Sequence, residues 1–133
     1  MLTRRGLAGC ALCAVAGFLA SGAKAADAPG QLRRTIITRM DAPMEGYEAV
    51  NVRVDLDPGA VIARHTHPGI ESTYVVEGGL ELNVEGQDAR TFKAGDGFQV
   101  PPNTKHSGKN GDKPTTLAIT YIVEKGKPLA SPA

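Results

Sequence analysis

The chain has 133 residues, with 15 Lys and Arg against 14 Asp and Glu, three histidines, two cysteines and no tryptophan. That near-neutral balance supplies no basic stripe for nucleic acid and no polybasic patch for an anionic membrane. The length suits one compact domain and is too short for two.

Residues 1–25 read as a secretory signal peptide. Met1-Leu-Thr-Arg-Arg-Gly is a positively charged start, Leu7 to Ala20 is an Ala-rich apolar run, and Ala23-Lys24-Ala25 has the small-residue cleavage pattern. The apolar run is too short for a good membrane span, so no stable membrane anchor is expected. Arg4-Arg5 resembles a twin-arginine signal, and the general secretory route stays open beside it. Leu7-Ala8-Gly9-Cys10 spells a lipobox-like string, but its hydrophobic run follows the cysteine instead of preceding it. Cys10 and Cys13 both fall inside the signal, so the exported chain carries no cysteine and no disulfide. Removal of Arg4, Arg5 and Lys24 leaves 12 Lys and Arg against 14 Asp and Glu, a net −2 with neutral histidines. The expected location is periplasmic or secreted.

Residues 26–33 are Ala/Pro/Gly-rich and read as a flexible leader. From there short strands follow in quick succession. Thr35 to Arg39 is a short strand, and Asp41-Ala-Pro-Met-Glu-Gly46 turns the chain. Val50, Val52, Val54 and Leu56 alternate with Asn51, Arg53, Asp55 and Asp57, the pattern of a half-buried strand. Val61 to Arg64 leads into the first two histidines, and Ser72 to Val76 is rich in β-branched and aromatic residues. Leu80 to Val84, Ala89 to Phe92, Phe98 to Val100 and His106 to Lys109 follow, punctuated by Gly78-Gly79, Glu85-Gly86-Gln87, Ala94 to Gly97 and Pro101-Pro102. In the last strand Leu117, Ile119, Tyr121 and Val123 lie on one face and Ala118, Thr120 and Ile122 on the other, which predicts a central position. About nine strands and no sustained helical period predict an all-β sandwich or barrel, a small β-barrel or jelly roll spanning residues 34–124 with a Gly/Pro-bearing tail over 125–133.

Chemistry concentrates in two stretches. Gly59 to Gly78 contains His65 and His67, an alternate pair that shares one face of an extended segment, with Glu71 four residues on. Two imidazoles and a carboxylate on one side can converge on a single cation. The remaining histidine, His106, lies beyond a second Gly/Pro-rich stretch.

The spacing Gly59-x5-His65-x-His67-x3-Glu71-x6-Gly78 resembles the first motif of the cupin family at every specified position. Gly95-x5-Pro101-x-Asn103-x2-His106-x3-Asn110 resembles the second, with Asn103 where the family usually has glycine. Asn is the next best residue for a left-handed turn, so the departure leaves the fold expectation intact. Sixteen residues separate the two motifs, the short spacing of compact cupins.

The resemblance implies a jelly-roll barrel holding one divalent metal through His65, His67, Glu71 and His106. Imidazole suits zinc, iron, nickel and copper, while the carboxylate shifts the preference toward manganese or iron. Four protein ligands leave one or two positions open for a small-molecule substrate. Glu71 has two roles open to it, as metal ligand first and as a general base second, the latter making it the one catalytic side chain assigned. Thr73 and Val75 share its strand face and are placed to line the cavity. Tyr74 and Phe98 read as core aromatics, Gln99 and Asn83 as optional polar contacts, and Arg53 and Arg64 as solvated charges that could also meet an anion. All three histidines are committed to the ion, so no Ser-His-Asp arrangement remains.

Cupin motifs do not fix a reaction. The first expectation is a dioxygenase-like enzyme resembling small quercetinase-type cupins. A non-oxidative lyase, decarboxylase or isomerase, and a periplasmic ligand-binding cupin without turnover, are the alternatives. A homodimer is expected, with 34–39 as a candidate pairing edge.

Overall fold

The computed structural model describes residues 30–133, so the expected signal peptide over 1–25 and most of the leader lie outside the described residues. Ten strands follow in order: β1 (Leu32–Asp41), β2 (Tyr47–Leu56), β3 (Val61–Thr66), β4 (Gly69–Glu77), β5 (Gly79–Val84), β6 (Arg90–Lys93), β7 (Gly97–Val100), β8 (His106–Asn110), β9 (Thr115–Glu124) and β10 (Ser131–Pro132). They form two antiparallel five-stranded sheets, β1-β2-β9-β4-β7 and β10-β3-β8-β5-β6. None of the described residues forms a helix long and apolar enough to cross a membrane.

Alternation explains why the two sheets face each other. Val50, Val52, Val54 and Leu56 of β2 are buried between them, as are Leu117, Ile119, Tyr121 and Val123 of β9. Val75 from β4, Leu80 and Leu82 from β5, Phe92 from β6 and Val100 from β7 complete the core. Each fully buried aliphatic side chain contributes about 1.5–3 kcal/mol, an upper figure because the denatured chain is itself partly compact. β9 holds the centre of its sheet, between β2 and β4, as its two apolar faces predict.

The expected barrel is corrected in one respect. Among the described residues no strand pair joins the two sheets, so the jelly roll is a sandwich and not a closed barrel. Closure requires the edge strands of both sheets to pair. Here the edge strands β6 and β7 have four residues each and β10 has two, while β1 lies exposed at the far edge. The chain passes from one sheet to the other at seven connections, among them Pro68, Gly78 and the Lys93–Gly97 turn.

Both ends of the packed unit also lie further out than residues 34 and 124. β1 starts at Leu32, whose side chain packs against the core. The tail returns, with Ser131 and Pro132 pairing with Thr66 and His65 of β3 and Leu129 packing on the core. Tyr74 is the other correction. It lies on the opposite face of β4 from Glu71 and is exposed, whereas Phe98 packs on Phe92 with ring centroids 4.8 Å apart.

Candidate metal centre

Three local devices bring the two motifs together. β3 carries a bulge between Ile62 and His65, after which His65 stands directly across from His106 on β8. A bulge re-aims the side chains beyond it, and such bulges recur beside functional sites. Past β3, the turn Pro101-Pro102-Asn103 reaches back, the Asn103 N–H donating to the His67 carbonyl at 2.9 Å. Asn103 has φ +56°, the left-handed conformation that its side chain tolerates. Glu71 and Thr73 point inward from β4, the Thr73 hydroxyl donating to Glu71 Oε1 at 2.7 Å.

The three imidazoles are oriented alike. His65 Nδ1–H donates to the Ala63 carbonyl at 2.7 Å, His67 Nδ1–H to the Leu129 carbonyl at 2.6 Å and His106 Nδ1–H to the Thr104 carbonyl at 2.9 Å. A neutral imidazole with its proton on Nδ1 presents Nε2 as a lone pair. All three Nε2 atoms then turn toward one point, where Glu71 Oε2 meets them. The His65 and His67 Nε2 atoms stand 3.0 Å apart, and Glu71 Oε2 lies 2.9 Å from His67 Nε2 and 3.2 Å from His106 Nε2. The four ligating atoms all lie within 4.8 Å of one another.

A cation resolves this crowding of lone pairs. Two nitrogens about 2.1 Å from one ion and at right angles to each other lie about 3 Å apart, which is the spacing of the neighbouring donors here. The donor set therefore fits a divalent metal, and every ligand named by the sequence is brought to it. His67, Glu71 and His106 are buried, while His65 is half-buried and faces the open side.

Electrostatics keeps Glu71 ionised. Burial pushes its carboxyl up, but hydrogen bonds from His106 and His67, available while their Nε2 atoms carry protons in place of a metal, and from Thr73 outweigh that and hold it far below the usual carboxylate range. Burial drives His65 down to about 4, so it stays neutral and ready to ligate. Burial also lowers His106, yet its bond to Glu71 prevails and raises it. Tyr121, with its ring 4.6 Å from that of His67, has its phenol pushed up by burial and by the Glu71 charge, and it keeps its proton.

A void of about 20 Å³ lies beside the four side chains, and an outer groove of about 530 Å³ shares part of its lining. Arg34, His65 and Tyr121 line both spaces. The tail from Leu129 to Pro132 forms one wall of the groove, with Leu32, Val61 and Ala63 among the other apolar lining. Of the optional residues named from sequence, Arg64 lies at the rim paired with Glu85 at 3.1 Å, and Arg53 lies on the outer sheet face paired with Asp55 at 2.9 Å. Gln99 and Asn83 line neither space, and Val75 sits in the core. The parts that sequence reasoning left unassigned are Tyr121, Arg34 and the Leu129 carbonyl. Tyr121 carried only the signal of an inward-facing polar tip on a central strand. A backbone carbonyl carries no sequence signal.

The sequence profile of the cupin domain matches residues 52–123. This chain belongs to the cupin family. Among its relatives, this cupin is 33% identical over 103 residues to oryzines biosynthesis cluster protein J of Aspergillus oryzae, covering 67% of this chain and 57% of that one. The cupin thus spans little more than half of that relative's length. Among solved structures, it superposes on an uncharacterized conserved protein with a double-stranded beta-helix domain from Klebsiella pneumoniae with a TM-score of 0.61 at 23% identity, covering 80% of this chain and 88% of that chain. It also superposes on oxalate oxidase with a TM-score of 0.53 at 25% identity, covering 56% of this chain and 42% of that chain.

Proposed function

We propose that this cupin is an exported enzyme that uses one divalent ion, manganese or iron, for oxygen-dependent, dioxygenase-like chemistry on a small molecule. The observation that carries the reading is the placement of Glu71. The Thr73 hydroxyl holds Oε1, and Oε2 lies at the point where the His67 and His106 Nε2 atoms converge, which favours a standing ligand over a base that swings away to take a proton. Among the described residues no other Asp or Glu lines the void or the groove, and Tyr121 is held protonated. A lyase, decarboxylase or isomerase that depends on a strong protein base is correspondingly disfavoured. The likeness to oxalate oxidase supports the oxidative class.

His65, His67, Glu71 and His106 would hold the ion, which would supply Lewis acidity and one-electron chemistry when bound. The chain's own residues do the rest. The backbone carbonyls of Ala63, Leu129 and Thr104 fix each imidazole by its Nδ1–H. Leu80, Leu82, Ile119 and Phe98 keep bulk water from the inner void, and Tyr121 retains a proton at its edge.

The test is oxygen uptake by manganese- or iron-loaded protein with oxalate and a panel of small carboxylates, enols and phenols. Uptake is expected, and it should vanish in His65→Ala and His106→Ala. Turnover that proceeds equally without oxygen would select the non-oxidative reading, and tight ligand binding without turnover would select a binding module.

Export rests on the charged start, the apolar run and Ala23-Lys24-Ala25; exported material should begin at Ala26, and retention of the intact chain in the cytoplasm would refute it. We also read β1 as a dimer edge, because Ile36, Ile37 and Met40 are exposed along it; a monomer by light scattering would refute that.

A further inference from the structure

Six arginines lie in the described residues, and five have partners. Arg33 pairs with Asp57 at 2.9 Å, Arg39 with Glu48 at 3.4 Å, Arg53 with Asp55 at 2.9 Å and Arg64 with Glu85 at 3.1 Å. Arg90 lies over the Phe92 ring, 4.9 Å from its centroid. Arg34 has no carboxylate within 4 Å among the described residues, and it is the arginine that lines both the inner void and the outer groove.

Its direction follows from register. Arg34 stands opposite Val54, which is buried in the core, so its side chain leaves β1 on the face turned toward the other sheet. There it shares the void with His65, Glu71, His106 and Tyr121. The charges around it are few: Glu71 at the back, already held by two histidines and Thr73, and Arg64 at the rim, already held by Glu85. An unpaired guanidinium facing an apolar-walled groove is a ready partner for a planar, negatively charged group, which it can grip through two parallel N–H bonds.

We propose that Arg34 is the specificity-determining residue for a small dicarboxylate substrate, gripping one acid group in the groove while the other reaches the metal position. The groove of about 530 Å³ admits a molecule of modest size, and Leu32, Val61, Ala63 and Leu129 suit a short apolar body between its two polar ends. The inference rests on the metal-bound reading of the site and names its substrate class.

Malonate, succinate and glutarate, each compared with its monoamide, are the probes. Each pair has the same size and differs by one negative charge. Binding is measured by calorimetry on manganese-loaded wild-type, Arg34→Gln and Arg34→Lys protein, with bound metal quantified in each. In the wild type at least one diacid should bind about tenfold or more tightly than its monoamide. In Arg34→Gln that preference should collapse, with metal content and melting temperature unchanged because Arg34 touches no ligand and is exposed. Arg34→Lys should keep part of the preference, since it keeps the charge and loses the fork. Equal binding of diacid and monoamide to metal-loaded wild type, or a preference that survives in Arg34→Gln, overturns the assignment. Wild type that takes up no metal overturns the metal-bound reading instead, so the two failures are distinguishable.

Discussion

Deleting Leu129–Ala133, so that the chain ends at Pro128, should weaken metal binding although none of the four ligands is removed. The deletion takes away the carbonyl that accepts from His67 Nδ1–H at 2.6 Å, the pairing of Ser131 and Pro132 with Thr66 and His65, and the Ala133 N–H bond to the Arg64 carbonyl at 3.2 Å. Without that acceptor, His67 is free to move its proton to Nε2 or to turn its ring, and both cost affinity. Loss of such an orienting partner costs about 10–100-fold in metal affinity. The stability of the metal-free chain should fall separately, by about 1–3 kcal/mol for the lost hydrogen bonds and the packing of Leu129. Leu129→Ala divides the two effects, because it keeps the carbonyl and removes the side chain. It should lower the melting temperature while holding metal affinity within about twofold of the full chain. Competition against a chelator of known affinity reads the metal term, and urea unfolding of the metal-free protein reads the other. If the deleted chain binds metal as tightly as the full one, or if Leu129→Ala weakens binding as much as the deletion, then the carbonyl does not position His67.

Two further outcomes follow from the same geometry. The metal-free protein should lose stability as pH falls from about 6.5 toward 4: His65 is driven down to about 4 by burial, so between those values the unfolded chain binds a proton that the native chain refuses. Glu71 acts in the same sense at lower pH, its contribution vanishing as its depressed carboxyl takes a proton, whereas the raised His106 opposes, stabilising fully below the unfolded value and fading as pH rises through its folded one. His65→Asn should flatten the slope in urea midpoints measured with chelator present, and an unchanged slope would refute the assignment to His65. Asn110→Ala should cost about 2–4 kcal/mol in urea unfolding, because it strips a buried amide that bonds the Leu56, Asp57 and Lys113 carbonyls and accepts from Gly111 N–H and the Thr115 hydroxyl; a loss under about 1 kcal/mol would show these groups finding other partners.

Legibility in the sequence tracked the range of the interaction. Alternation in β2 and β9 is local, and it placed Val50 to Leu56 and Leu117 to Val123 in the core without reference to any partner strand. The convergence of four side chains was equally legible, because the two motifs put His65, His67, Glu71 and His106 on short segments whose turns are written in Gly, Pro and Asn. Tyr74 misled because composition alone does not give parity. The inward face shared by Glu71, Thr73 and Val75 makes Tyr74, three residues on from Glu71, outward, and that parity overrides the usual preference of an aromatic for the core.

The groove was hidden for a different reason. Its walls come from the two ends of the packed unit: β1, legible in sequence only as a short strand over Thr35 to Arg39 behind a flexible leader, and the returning tail, legible only as Gly/Pro-bearing. Neither has the apolar alternation that places a strand against a core, because β1 is an exposed edge and β10 is two residues long. Yet Arg34 and the Leu129 carbonyl, the residues that would select the substrate and fix His67, reside there. In this fold the motifs set the ion's position, and the unpatterned ends shape what can approach it. A family whose motifs are constant and whose ends vary can therefore keep one metal site while changing its substrate. That division explains why the metal-binding set could be read from two short motifs while the substrate class required the arrangement of chain segments 95 residues apart, Arg34 to Leu129.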